Sequence, residues 1–168
     1  MANLFLALEY TLPFEGGYSN DPVDHGGATN FGITQVTLNR YLLANPSALV
    51  YDRVACLTIQ DAEKIYRWGY WKFDGVKDQG IATKLFDIAV NMGVGTAVKM
   101  VQRIVGSEPD GLWGPMTLAK VNGYDQASLM QKLVESSLNR YENIIAKDPT
   151  QEKFRKGWTR RAVAIPPS

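Results

Sequence analysis

Residues 15–34 read EGGYSNDPVDHGGATNFGIT and gather Glu15, Asp21, Asp24, Thr29, Asn30 and the chain's one histidine, His25, among five glycines. Such a stretch has little with which to pack a core, so its polar side chains invite a chemical reading. Glu15 follows Phe14 and precedes Gly16-Gly17 at the end of an apolar segment. A carboxyl partly withdrawn from water there keeps its proton near neutral pH, because desolvation penalises the charged form. It can then give that proton to a leaving oxygen, as cleavage of a glycosidic bond requires. Asp24 lies nine residues further on, in a polar, glycine-lined setting that leaves it ionised. If the segment folds back as a hairpin, Asp24 faces Glu15, giving two carboxyls with opposed environments. Thr29 adds a hydroxyl that could hold an attacking water, and Gly26 and Gly27 let the backbone approach a sugar closely. The plainer reading of each acidic residue is a cap or turn former, and Asp21-Pro22 in particular reads as a turn. His25 either orients Asp24 by a hydrogen bond or is a satisfied structural side chain.

The frame that must position these groups is helical. Leu4, Leu8 and Leu12, with Phe5 beside them, form an apolar stripe behind Asn3 as a candidate N-cap. They predict a helix ending near residues 13–16, with Glu15 at or just past its end. Residues 16–33 have no helical period and predict a loop or small irregular β-hairpin. Thr34 caps a second helix to about Leu43, stopped before Asn45-Pro46. Thr58 opens a third, with Ile59, Ala62, Ile65 and Tyr66 on one face, running into the aromatic cluster Tyr66, Trp68, Tyr70, Trp71 and Phe73. Residues 80–92 predict a largely apolar, central helix, and 95–105 another. GSEPDGLWGP (106–115) is a turn-rich connector whose Pro115 suits the first position of the next helix. Residues 125–147 set Met130, Leu133, Val134, Leu138, Tyr141 and Ile145 on one side, and 150–164 predict a last amphipathic helix. The sum is a mostly α bundle of seven to eight helices with an irregular or β-hairpin insertion at 16–33, without internal repeat or flexible linker.

Sugar rings present apolar C–H faces that lie on aromatic side chains, which makes Tyr18, Trp68 and Trp71 candidates for glycan contact, against the alternative of a core cluster. Asp87 and Asn91, at i and i+4, share a helix face and either line a groove or cap that helix. The 168 residues are 45% hydrophobic and 21% charged, which excludes disordered and collagen-like classes and favours one compact domain or two tightly joined lobes. A net charge of +1 excludes an overall electrostatic nucleic-acid binder. Between Gln151 and Arg161, however, five Lys or Arg stand against one Glu, which suits an anionic surface or an exposed helix face. The single cysteine, Cys56, allows no internal disulfide, fits a reducing compartment of synthesis, and reads as a buried inert thiol. With one His and one Cys, neither a zinc site nor any other cofactor is expected. The N-terminal MANLFLALEYTLPFEGG has no Lys or Arg, and Glu9 and Pro13 interrupt its apolar residues. It is expected to be neither a signal peptide nor a membrane span.

The run EGGYSNDPVDHGGATNFGIT resembles the signature of glycoside hydrolase family 108, the N-acetylmuramidase-type phage endolysins. NMGVGTAVKMVQRIVGSEPDGLWGPMTLAKV (91–121) resembles the predicted peptidoglycan-binding region that accompanies it, and FRKGWTRR (154–161) fits the end of such proteins. The E-G-G-Y and G-G-x-T-x-x-G-I-T elements are the more specific; D-G-x-x-G-P-x-T recurs in other wall-binding modules. The resemblance implies hydrolysis of the β-1,4 bond between N-acetylmuramic acid and N-acetylglucosamine in peptidoglycan, ending in lysis of the host cell. Glu15 matches the family's catalytic glutamate. Glu15, Asp24 and Thr29 stand in the order Glu, Asp, Thr found around the scissile bond in the wider phage lysozyme group, with Asp21 a competitor for the second place. It further implies a lysozyme-like helical fold of two lobes within one catalytic domain. An N-terminal lobe of about 1–75 would carry the catalytic loop and a C-terminal lobe of about 76–168 the peptidoglycan-binding region. Tyr18, His25, Asn30, Trp68, Trp71, Asp87 and Asn91 are then the expected substrate contacts. Such a protein would be a monomer made in the host cytoplasm and released to the wall through a separate pore. Its basic C-terminal helix is a candidate for contact with anionic membrane or lipopolysaccharide. Rival readings are a lytic transglycosylase, which needs one acid/base glutamate only, and a wall-binding protein without catalysis.

Overall fold

The computed structural model describes residues 1–16 and 28–168. The described chain is mostly helical with one small antiparallel ribbon, the lysozyme-like class expected. Its packing divides it into two units, Leu4–Trp71, and Met1–Asn3 together with Lys72–Ser168.

The first unit opens with α1 (Leu4–Glu15), which buries Leu4, Ala7, Leu8 and Thr11, the i, i+3, i+4 and i+7 positions of one helix face. Phe5 is exposed rather than packed beside that stripe, being one residue off it. The helix stops at Glu15 because Gly16 takes the left-handed conformation (φ 75°) while its N–H closes on the Leu12 carbonyl at 3.2 Å. Strands β1 (Thr29–Asn30) and β2 (Ile33–Thr34) pair antiparallel, Thr29 opposite Thr34 and Asn30 opposite Ile33. The two-residue turn between them, Phe31-Gly32, has φ of 51° and 74°. Positive φ at both places marks the primed turn whose twist matches a hairpin.

Helix α2 (Gln35–Ala44) is capped by Thr34, whose Oγ1 accepts from the Thr37 N–H at 3.2 Å. Its Gln35 side chain spans to the 3-10 turn Val54–Cys56, donating to the Asp52 carbonyl and accepting from the Val54 N–H. Cys56 is exposed on that turn, against the expectation of a buried thiol: Val54 is the residue that turns inward. Helix α3 (Ile59–Gly69) starts with a capping box formed by Thr58 and Asp61. It packs on α1 and α2 and buries Ala62, Ile65 and Tyr66, whereas Ile59 stays exposed in its first turn.

In the second unit, α4 (Gln79–Met92) buries every residue from Gly80 to Ala89, as an apolar helix at the centre of a bundle does. It packs on α5 (Val94–Val105) and α7 (Gln126–Lys147), the latter burying Leu129, Leu133, Ser137, Tyr141 and Ile145 at four-residue intervals. Pro115 opens α6 (Pro115–Gly123) as its spacing predicted. The last segment is not one helix over 150–164. The Asp148 carboxylate accepts from Thr150 and Gln151 and fixes a tight 3-10 turn, Pro149–Phe154, from which α8 (Arg155–Val163) departs.

Candidate active site

Glu15 is half-buried at the C-terminal end of α1, and the turn of the hairpin rests on its side chain. A Cβ added at Gly32 would fall 2.8 Å from the Cβ, Cγ and Oε2 of Glu15. Only glycine therefore lets the chain pass so close to this carboxyl, and its φ of 74° favours glycine independently. The turn is itself anchored from α3, where the Tyr66 hydroxyl donates to the Phe31 carbonyl at 2.7 Å. The strand leading into it is anchored by Asn30, whose Nδ2 donates to the Val54 carbonyl at 3.1 Å. Thr29 is half-buried on β1, two residues before the turn. The structure thus seats Glu15 against the turn of the hairpin that carries Thr29, and the Tyr66 phenol ties that turn to α3. Sequence reasoning missed the roles of Gly32 and Tyr66; the G-G-x-T-x-x-G-I-T spacing was the available signal for the first, and the second was read only as part of a helix face and an aromatic cluster.

Other expected site residues fall elsewhere. Asp21, Asp24, Tyr18 and His25 lie outside the described residues. Asn30 is only 8% exposed, and its amide serves the backbone of the 3-10 turn, which leaves it a clamp rather than a sugar contact. Trp71 is 3% exposed, because its N–H folds back onto the Tyr66 carbonyl after α3 and turns the ring inward, so it has no face for a sugar. Trp68 is 41% exposed and meets Tyr41 edge-on at 5.5 Å between centroids. Asp87 is 2% exposed and grips Arg161 of α8, with Nε and Nη2 at 3.0–3.2 Å from its carboxylate oxygens. It cannot line a groove, because a buried carboxylate needs the guanidinium that neutralises it. Lys84, one helical turn earlier, donates to the carbonyls of Arg161, Ala162 and Ala164. Burial pushes its ammonium down to about 8, with Arg161 adding to that shift and Asp87 opposing it. Asn91 is half-buried and accepts from the Tyr141 hydroxyl at 2.6 Å.

The connector 106–115 is organised by Gln102, a buried residue that the sequence did not single out. Its Nε2 donates to Asp110 Oδ1 at 2.7 Å, the Leu112 carbonyl at 3.0 Å and Thr117 Oγ1 at 3.2 Å, and its Oε1 accepts from the Gly111 N–H at 2.9 Å. The Leu112 N–H, and then Gln102, hold the Asp110 carboxyl below the usual range. The D-G-x-x-G-P-x-T piece is therefore a folded knot: its Asp, first Gly and Thr each contact one amide, and its Pro starts α6.

Among the described residues no three His, Cys, Asp or Glu side chains are grouped to hold a metal ion, and no helix is long and apolar enough to cross a membrane. Residues 8–93 match the family model described as glycosyl hydrolase 108, and residues 96–163 match a predicted peptidoglycan domain. A solved structure of Brucella abortus SagA is similar, with a TM-score of 0.74 and 34% identity over 93% of this chain and 87% of that one. No curated protein matches.

Proposed function

We propose, since this chain belongs to the glycosyl hydrolase 108 family and is a glycoside hydrolase acting on peptidoglycan, that the bond it hydrolyses is the β-1,4 link between N-acetylmuramic acid and N-acetylglucosamine. The observation that carries this reading is the seating of Glu15 against the Gly32 turn. Glu15 gives its proton to the glycosidic oxygen as the C–O bond breaks. The second carboxylate, Asp24 in preference to Asp21, either steadies the positive charge that develops on the ring or acts with Thr29 to draw a proton from the attacking water. A carboxyl separation of about 5–5.5 Å would retain the anomeric configuration and about 6.5–9.5 Å would invert it. Catalysis is assigned to the stretch of about 1–75 and wall recognition to about 76–168; the glycosyl hydrolase match runs on to residue 93 and the peptidoglycan match begins at residue 96. Trp68 supplies glycan contact through its open part, alongside Tyr18 and His25.

The resemblance of the 15–34 signature supports the wider role of an endolysin, a monomer that reaches the wall through a separate pore and lyses its host. Contact with anionic membrane or lipopolysaccharide falls to Lys153, Lys156 and Arg160. Arg161 is committed to Asp87, and Arg155 to Glu142 and Glu152. Digestion of purified cell walls tests the chemistry: the products carry new reducing ends, and Glu15→Gln abolishes them in a folded protein. Anhydro-muropeptides would identify a transglycosylase instead. Asp24→Asn is expected to cost more activity than Asp21→Asn, and the reverse order would exchange their roles.

A further inference from the structure

Helices α5 and α7 of the second unit leave between them an open groove of about 690 Å³. It is built from one face of each helix. Thr96, Met100, Arg103 and Ile104 come from α5 at i, i+4, i+7 and i+8, and the α7 residues, from Ser136 to Lys147, fall at i, i+3, i+4, i+7, i+8 and i+11 on one face. Three of the lining side chains, Arg103, Arg140 and Lys147, are cationic, and none is acidic. Among the described residues these three form no ion pair. Arg103 and Lys147 also stand in the last turns of their helices, where the helix dipole favours a cation, whereas Arg140 lies mid-helix without that support. Met100 and Ile144 give the groove an apolar floor, and Asn139 and Asn143 place two amides along its wall.

We propose that this groove is a subsite for the peptide arm of peptidoglycan, with Arg103, Arg140 and Lys147 holding its free carboxylates. The inference rests on peptidoglycan as the substrate and names the part of it this groove reads. The acetylated glycan is uncharged, because the lactyl carboxyl of each muramic acid is tied in an amide to the peptide; the negative charges of the polymer therefore sit on the peptide. Arg140 and Lys147 are two turns apart on α7, about 10 Å along the axis, which matches carboxylates about three extended residues apart. The asparagine amides suit peptide groups, which offer both a donor and an acceptor. No aromatic side chain lines the groove, so it lacks the flat apolar surface on which a sugar ring would lie. A membrane surface would call for projecting apolar side chains, whereas this site is concave.

Calorimetric titration of the full chain with a soluble stem peptide carrying two or three free carboxylates tests the assignment without requiring turnover. Arg140→Glu and Lys147→Glu, both exposed positions on α7, are each expected to weaken binding by about tenfold or more, the effect of losing a charge-assisted hydrogen bond. The same peptide with its carboxylates amidated is expected to bind wild type no better than the variants bind the free acid. Equal affinity for the free and amidated peptides overturns the proposal, as does unchanged affinity in both variants. It is overturned equally if the variants lose binding to phosphatidylglycerol vesicles while keeping that of the peptide. The muramidase reading fails separately: glycan strands stripped of peptide are cut or left intact by wild type whatever the groove binds.

Discussion

Two helical carboxyls, Glu15 at the end of α1 and Asp87 within α4, sit in different surroundings. Asp87 is sealed in the second unit, its oxygens bound to Arg161 beside a Lys84 that is itself bound to three carbonyls. Glu15 sits at the end of α1 with the Gly32 turn close against its side chain, and it stays part-exposed. A charge locked by paired partners stabilises a fold and has little capacity left for a reaction. A carboxyl that stays part-exposed beside a glycine turn can still meet a substrate. The difference separates a structural acid from a candidate catalytic one more sharply than the residue before each does, since both follow a phenylalanine in an apolar helix.

Substitution can break this comparison. Glu15→Gln is expected to lower wall hydrolysis by about 10²–10⁴-fold, the usual worth of a positioned general acid, with its melting temperature nearly unchanged. An activity close to wild type would place both carboxylates in the structural class. Asp87→Ala has the converse signature. It strands a buried guanidinium, costs about 3–5 kcal/mol of stability, and leaves activity per folded molecule intact; denaturant titration beside an assay of the soluble fraction checks both halves. Gly32→Ala tests whether shape is what holds Glu15. The new methyl must displace the side chain or the turn, and a displacement of about 1 Å is worth roughly 10²-fold in rate; a fully active variant would mean that the turn does not position the acid.

The remaining test is a pH dependence. Lys84 is lowered from 10.5 to about 8 in the folded chain, so between those values the unfolded chain binds more protons at this position. The contribution of this group to stability therefore rises with pH across about 8 to 10.5 and is flat below. Denaturation midpoints of wild type relative to Lys84→Met are expected to shift in favour of wild type over that window, and a constant difference would show that the ammonium is not desolvated as its burial indicates.

Local chemistry explains which elements could be read in advance. Thr34, Thr58 and Pro115 each announced a helix start because a cap acts over three or four residues, and the end of α1 followed from Gly16. The seat of Glu15 at that end was legible for the same reason. Contacts at long separation were not. Nothing near Asp87 in the chain points to Arg161, 74 residues away, so an i, i+4 pair with Asn91 looked like a groove face. The aromatic cluster was similarly ambiguous: Trp68 and Trp71 differ only in where the chain turns after Gly69, and that turn sends one ring outward and the other into the core. The break before α8 depended on one aspartate side chain gathering three neighbouring donors, which a hydrophobic period does not record.

Phe31 occupies a backbone conformation that costs an L-residue with a bulky side chain about 1 kcal/mol or more relative to glycine or asparagine. A mutagenised library screened for heat resistance would consequently be drawn to this codon, where Asn or Gly keeps the carbonyl that Tyr66 binds and relieves the torsion. Wild-type Phe at that place is thermal tolerance forgone beside Glu15, and it marks where an engineered variant could recover it.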